Sequence, residues 1–462
     1  MEKKPLLKRI LAVSLAVAVT VNGLTFSALA DDSGAIDFRE VSANSISAKL
    51  PSEKKLDTES GTPSYLDTDV VRVSIVLKDK STIENTVEMG YDIENIAENS
   101  AAMSYRSVLQ DKQANVVNEI ENVIDESLDV VWNLTLAANI ISANVEYGQI
   151  EEIEALEEVE EVLIETQYYP DVLKETLPLD PDMATSSAQI GSQNVWDSGY
   201  TGAGSRIAII DTGTDDDHQS FGEEGYLHAL EELAEAKGMS YEEYAESLNL
   251  LTWEEISSVK DKLNAGTAYN GQSSVMPITE QAYLNAKLPF AYNYVDSDYD
   301  INHDNDKQGE HGSHVAGIST ANRYIKVGDE FVKALEYSMA LTQGVAPDAQ
   351  LITMKVFGKG GGAYDSDYMV AIEDAIVLKA DAINLSLGSG NPGASKSSTK
   401  QYREIFDNLT KSGVVVSISA GNAGYWAANS ETGLLYSDDV SMQTDGSPGS
   451  FTNALTVASV DN

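Results

Sequence analysis

From residue 188 onward the chain repeats a pattern that leaves few folds open. Apolar, β-branched runs at 206–210, 351–357, 382–387, 414–420 and 455–460 alternate with helix-patterned stretches at 367–379 and 400–412. A strand that is apolar at nearly every position has to be covered on both faces, and helices between strands supply that cover. The expectation is an α/β fold, a parallel sheet flanked by helices. The interval 222–288 breaks the rhythm. It is acidic, helix-prone and carries Trp253, and it reads as an insertion after the first sheet strand.

Ahead of residue 188 the texture differs. Residues 70–77 alternate like a strand, 100–123 are a polar helical stretch, and 128–134 and 140–145 are strand-like. A short acidic helix at 150–156 and a closing strand at 159–164 follow. Strands and helices mixed within so short a span predict a small α+β domain at 70–170. Residues 31–69 are rich in Ser, Asp and Glu and read as a flexible segment. Residues 171–187, with their prolines, read as a linker and processing region, with Tyr168-Tyr169-Pro170 already taken into it.

The first thirty residues assign a compartment. Lys3, Lys4, Lys8 and Arg9 precede a short apolar run at 10–21, and Ala28-Leu29-Ala30 is a small-x-small cleavage site. This is the pattern of a signal peptide, too short for a spanning helix, and it predicts a secreted protein. The 462 residues suit two or three domains, and 42% hydrophobic content is ample for packed cores. Thirty basic against 74 acidic side chains leave a net charge of -44, which argues against nucleic-acid binding. With no cysteine, disulfides, thiolate catalysis and Cys-ligated zinc are excluded.

Two motifs carry chemistry. Ile209-Ile210-Asp211-Thr212-Gly213 ends an apolar run on an aspartate, which alone is more often a turn residue than a catalyst. His311-Gly312-Ser313-His314-Val315-Ala316-Gly317 changes that weighting by placing a histidine at the start of a small-residue helix. There the positive dipole end favours an uncharged ring able to take a proton. A buried carboxylate on its other nitrogen would fix the tautomer.

Asp211, the His311 motif, Gly344-Val345-Ala346-Pro347, Asn384-Leu385-Ser386-Leu387-Gly388 and Ala420-Gly421-Asn422 stand in an order that resembles the subtilisin-like serine peptidases. The resemblance covers 188–462, and 70–165 resembles the propeptide of that family. The run from Ala286 to Asp296 ahead of the histidine motif is most similar to the cell-envelope proteinase branch, the lactocepin and C5a-peptidase-like enzymes. The resemblance implies Asp211 as orienting carboxylate, His311 as general base, His314 as structural and Asn422 as oxyanion-hole donor. It also implies Ser386, Leu387 and Gly388 as the wall of the primary specificity pocket, and Gly360, Gly361 and Gly362 as the edge strand that pairs with substrate.

The resemblance has three departures. No Gly-Thr-Ser nucleophile motif occurs in the 462 residues, Ser313 replaces the usual threonine, and Ser220 replaces a calcium-binding aspartate. The expectation is therefore a secreted serine endopeptidase precursor with a C-terminally incomplete catalytic domain, its nucleophilic serine beyond residue 462. The alternative is a catalytically inactive peptide-binding or propeptide-type inhibitor protein at the cell surface. Partners implied are protein or peptide substrates, the chain's own propeptide as intramolecular inhibitor, and a cell wall reached through sequence outside this chain. The chemistry requires no cofactor, and structural calcium is left open. Asp296-Ser297-Asp298-Tyr299-Asp300 and Asp304-Asn305-Asp306 do not fit a calcium loop, since Ile301 and Lys307 stand at its glycine and bidentate-acid positions. They read as a solvated acidic loop, and no metal ligand is assigned.

Overall fold

The computed structural model describes residues 65–168, 183–269, 274–304, 306–337, 343–388, 396–421, 448–449 and 454–458. The expected signal peptide, most of the segment 31–69, the bulk of the linker, and Asn422 lie outside the described residues. Among those described, no helix is long and apolar enough to cross a membrane.

The N-terminal unit is a four-stranded antiparallel sheet, order β2-β3-β1-β4, formed by β1 (Val70–Leu77), β2 (Asp129–Leu134), β3 (Ile140–Glu146) and β4 (Val159–Ile164). Helix α1 (Thr82–Glu88) starts in a capping box between Ser81 and Glu84, and α2 (Ser100–Ile124) is capped by Asn99. A third helix, α3, spans Ile150–Glu154. Because strand side chains alternate, the sheet has two different faces. Val71, Val73, Ile75 and Leu77 of β1 pack with Val116, Val117 and Ile120 of α2 and with Ile153. Arg72, Ser74 and Val76 point the other way, together with Trp132, Leu134, Ile140 and Ser142, and that second face is covered by the rest of the chain.

The chain then runs through β5 (Gln167–Tyr168) to helices α4 (Met183–Gln189) and α5 (Ser192–Asp197). Two expectations fail here. Tyr168, read as the start of a linker, is a buried strand residue, because its ring packs on Tyr368 and its hydroxyl finds a buried carboxylate. Residues 183–187, also read as linker, are helical.

Six strands form an all-parallel sheet, order β14-β13-β12-β6-β10-β7. They are β6 (Arg206–Asp211), β7 (Phe290–Asn293), β10 (Gln350–Lys355), β12 (Ala382–Leu385), β13 (Val415–Ser419) and β14 (Leu455–Val457). Every residue of β6 and β10 is buried, as expected of central strands covered on both faces. Ile207 and Ile209 pack with Ala316 of α9 (His311–Thr320) on one face. Ala208 and Ile210 pack on the other with α10 (Asp365–Val377) and with Ile405, Phe406 and Leu409 of α11 (Lys396–Lys411). Between β6 and β7 lie α6 (Glu223–Lys237), α7 (Tyr241–Leu248) and α8 (Trp253–Val259), the first two joined by a cluster of Tyr226, Leu230, Ala234 and Tyr244. A hairpin of β8 (Tyr324–Val327) and β9 (Glu330–Lys333) follows α9. Strand β6 has β10 on one side and β12 on the other, so the strand order reverses around it. Open parallel sheets hold their ligands at the carboxyl ends of the strands beside such a reversal.

Candidate active site

Asp211 is the last residue of β6 and stands at that reversal. His311 opens α9. Their side chains meet: His311 Nδ1 lies 2.7 Å from Asp211 Oδ1, with the Asp211 side chain buried and the imidazole a quarter exposed. Oδ1 also accepts the Thr212 N–H at 2.7 Å, and the Asp211 carbonyl accepts the Val356 N–H at 2.9 Å. A carboxylate held so directs Nδ1–H toward itself and leaves Nε2 as the basic nitrogen.

The approach of the two motifs depends on glycines. Gly213 has φ +109°, and a Cβ there would sit 2.1 Å from the Ile301 carbonyl. A Cβ on Gly312 would sit 2.2 Å from the Gly213 carbonyl. Thr212 Oγ1 accepts the Gly312 N–H at 2.8 Å, and Ser313 Oγ accepts the Asp215 N–H at 2.8 Å. Ser313, noted as a departure, thus ties the helix of His311 to the loop of Asp211. His314 keeps its side chain exposed, and desolvation by its surroundings, with the neighbouring His311, holds its pKa below the ordinary histidine range against the pull of Glu310.

Three residues that sequence reasoning passed over complete the frame. Lys355 ends β10 opposite Asp211 and is fully buried. Its ammonium donates to the Thr212 carbonyl at 3.0 Å and the Asn302 carbonyl at 3.2 Å, and it is paired with Asp306. It therefore pins together the loops that carry Asp211 and His311. The acidic run read as solvated is corrected at this point: Asp306 is buried against Lys355, because a buried ammonium needs a counter-charge. Asp298 and Asp300 flank Lys359 instead. Among the described residues no group of three or more His, Asp or Glu side chains is arranged to hold a metal ion. Gln308, the third residue, donates Nε2 to the Phe357 and Gly358 carbonyls at 2.8 and 2.6 Å. The signal for Lys355 was present: a single charge inside an apolar strand pattern needs a buried partner.

Gly360, Gly361 and Gly362 follow at once and lead into β11 (Ala363–Tyr364). Gly361 has φ +92°. A Cβ on Gly362 would fall 2.5 Å from Gln167 Nε2, so the missing side chain admits another segment. That segment is β5, antiparallel to β11 with Ala363 opposite Tyr168 and Tyr364 opposite Gln167. Ser386, Leu387 and Gly388 leave the carboxyl end of β12, whose Leu385 pairs with Ile210, and Asn384 Nδ2 donates to Ser386 Oγ at 2.9 Å. Asn422 lies just past the described Gly421.

The N-terminal unit sits on α10 through carboxylates. Glu373 accepts the Leu136 and Ala137 N–H groups, both at 2.7 Å, and lies 3.5 Å from Arg106. Asp367 accepts Trp132 Nε1 at 2.8 Å. Glu165 accepts from Ser74, Ser142 and Ser366 and, by burial and then the nearby Asp365, has its pKa raised. Asp374 is pushed up to about 7 by burial, although the Asn264 and Ala265 N–H groups bind it.

A family model described as the subtilase family, Peptidase S8, matches residues 202–462. The PI-type proteinase of Lactococcus lactis subsp. cremoris is 27% identical over 455 residues, 96% of this chain and 20% of that protein. The minor extracellular protease Vpr of Bacillus subtilis (strain 168) is 29% identical over 290 residues, 60% of this chain and 26% of its own length. A C5a peptidase of Streptococcus pyogenes serotype M3 is 27% identical over 259 residues, 56% of this chain and 18% of the relative. The chain thus spans about a fifth of the length of the lactococcal proteinase it matches.

Proposed function

The chain belongs to the subtilase family of serine peptidases, and from that premise we propose that it is the N-terminal part of a secreted endopeptidase precursor working through an Asp-His-Ser triad. What supports this most directly is the 2.7 Å hydrogen bond between the buried Asp211 carboxylate and His311 Nδ1. The serine would come from sequence outside these 462 residues. Its Oγ attacks the peptide carbonyl while His311 Nε2 takes its proton. Asn422 donates to the oxyanion, and the C–N bond breaks as Nε2 returns the proton to the leaving amine. Water then releases the acyl group by the same steps in reverse. Asp211 holds the ring throughout.

In this reading residues 1–30 direct export, and residues 70–170 are a propeptide that inhibits by laying β5 on the substrate edge β11. Ser386, Leu387 and Gly388 wall the primary pocket, and Gly360 to Gly362 leave room for extended substrate. Chemistry needs no cofactor, calcium would be structural, and attachment to a cell wall would use sequence beyond this chain. The test is His311→Ala in the polypeptide completed through its serine. kcat should fall by about a million-fold, a figure carried over from subtilisin itself. Turnover within tenfold of the parent would remove the assignment. A completed polypeptide that binds peptides and cleaves none would favour a binding protein instead.

A further inference from the structure

Tyr168 is almost completely buried, in a pocket that the chemistry above does not use. Its hydroxyl donates to Asp365 Oδ1 at 2.7 Å, and its ring meets the Tyr368 ring edge to face, centroids 5.8 Å apart at 74°. The Tyr368 hydroxyl reaches the same oxygen at 3.3 Å. The other carboxylate oxygen, Oδ2, accepts the Thr166 N–H at 2.7 Å. Asp365 is itself buried and opens α10, where the positive end of the helix favours a carboxylate.

One carboxylate therefore reads two features of an extended chain. Through Oδ2 it fixes the backbone at one residue, and through Oδ1 it finds a hydroxyl two residues on, the spacing at which strand side chains share a face. Phenylalanine would fill the ring space and supply no donor to Oδ1. Leucine would not reach it. A site built around a substrate hydroxyl rejects the analogue lacking it more strongly than an apolar pocket rejects a size change, because the buried acceptor loses a donor; here Oδ1 would lose its short bond and keep the longer one from Tyr368.

We propose that Asp365 and Tyr368 form a tyrosine-reading subsite, so that the preferred substrates are extended peptides with tyrosine opposite Ala363. Segment 166–168 then occupies the subsite as a copy of the sequence it keeps out. This rests on the peptidase reading given above.

Two measurements test it. In the full chain, Tyr168→Phe removes one oxygen, and hydrogen exchange of the amides at 166–168 should quicken by about ten- to a hundred-fold, the worth of a hydrogen bond to a charged group. Unchanged exchange there, with the amides of β6 still protected, overturns the proposal. In the completed polypeptide, a peptide series varied only at this position should give kcat/KM about ten- to a hundred-fold higher for tyrosine than for phenylalanine. Asp365→Asn should shrink that ratio several-fold. Hydrolysis with tyrosine and phenylalanine equal overturns the subsite and leaves the peptidase standing. No hydrolysis of any peptide removes the peptidase reading, and the substrate claim falls with it.

Discussion

Replacing Lys355 with methionine is the sharpest probe of the frame behind the dyad. The side chain is buried, and its ammonium has three acceptors: the Thr212 carbonyl, the Asn302 carbonyl and the Asp306 carboxylate. Methionine fills most of the volume and leaves the Asp306 carboxylate buried without its counter-charge. Breaking a buried pair in this way costs about 3–5 kcal/mol, whereas replacing both partners by apolar groups of similar size is often close to neutral. Lys355→Met should therefore lower the stability of the full chain in urea by about 3–5 kcal/mol, and Lys355→Met with Asp306→Leu should recover most of that loss. The double-mutant cycle should give a coupling of about 2 kcal/mol or more between the two sites. Because the two loops joined by Lys355 carry Asp211 and His311, the single variant should also lose about a hundred-fold in kcat/KM once the polypeptide is completed, the scale of a 1 Å misplacement. A single variant within 1 kcal/mol of the parent, or strictly additive losses, would refute the reasoning.

Other outcomes follow from the same contacts. Glu373→Ala, which strips the acceptor from the Leu136 and Ala137 N–H groups and takes the nearby carboxylate from the buried Arg106, should destabilise the docked unit by about 3–5 kcal/mol, read as faster hydrogen exchange at residues 135–138. Unchanged exchange would rule it out. Asp374 has a folded pKa raised to about 7 against an ordinary 3.8, so its stabilising contribution is complete below pH 3.8 and fades as pH rises toward 7. Asp374→Asn should flatten that decline in urea midpoint, and parallel profiles would count against it. Lys287 is shifted oppositely, to about 7 from 10.5 by burial. The unfolded chain then binds more protons between those values, and stability should climb from pH 7 to 10.5 in the parent but not in Lys287→Met. Gly312→Ala, whose Cβ would meet the Gly213 carbonyl at 2.2 Å, should cost about 3 kcal/mol or more and part His311 from Asp211, visible as a lowered urea midpoint of this chain and as loss of activity in the completed polypeptide.

Long apolar runs made the parallel sheet readable from sequence, since 206–210 and 351–357 admit little else than buried strands. The short strand Phe290–Asn293 and the hairpin Tyr324–Lys333 were not foreseen, because four residues carry too little period to separate from a loop. Asp211 and His311 were legible only through the order of several motifs, and their 2.7 Å contact needed the fold. Lys355, Asp306 and Gln308 were hidden for a different reason. Lys355 stood out only as one charge inside an apolar strand, with no hint of its partner, while Asp306 and Gln308 look like ordinary surface residues until the loop at 301–310 folds over β10. Tyr168 was lost to the prolines that follow it, which suggested a linker where the chain still lies in a pocket.

The thirteen residues of α10 are all buried, yet the side facing the N-terminal unit holds Asp365, Asp367 and Glu373 where a permanent core would hold leucines. That choice governs how the protein behaves in dilute solution. A leucine-lined face bared by release of its cover would recruit another apolar surface and aggregate. A face of carboxylates exchanges its backbone N–H partners for water and remains colloidally stable, helped by a net charge of -44. The cover can thus be tightly fitted and, on coming away, leave this helix face charged and hydrated beside the apolar cluster it shared with Trp132 and Leu134.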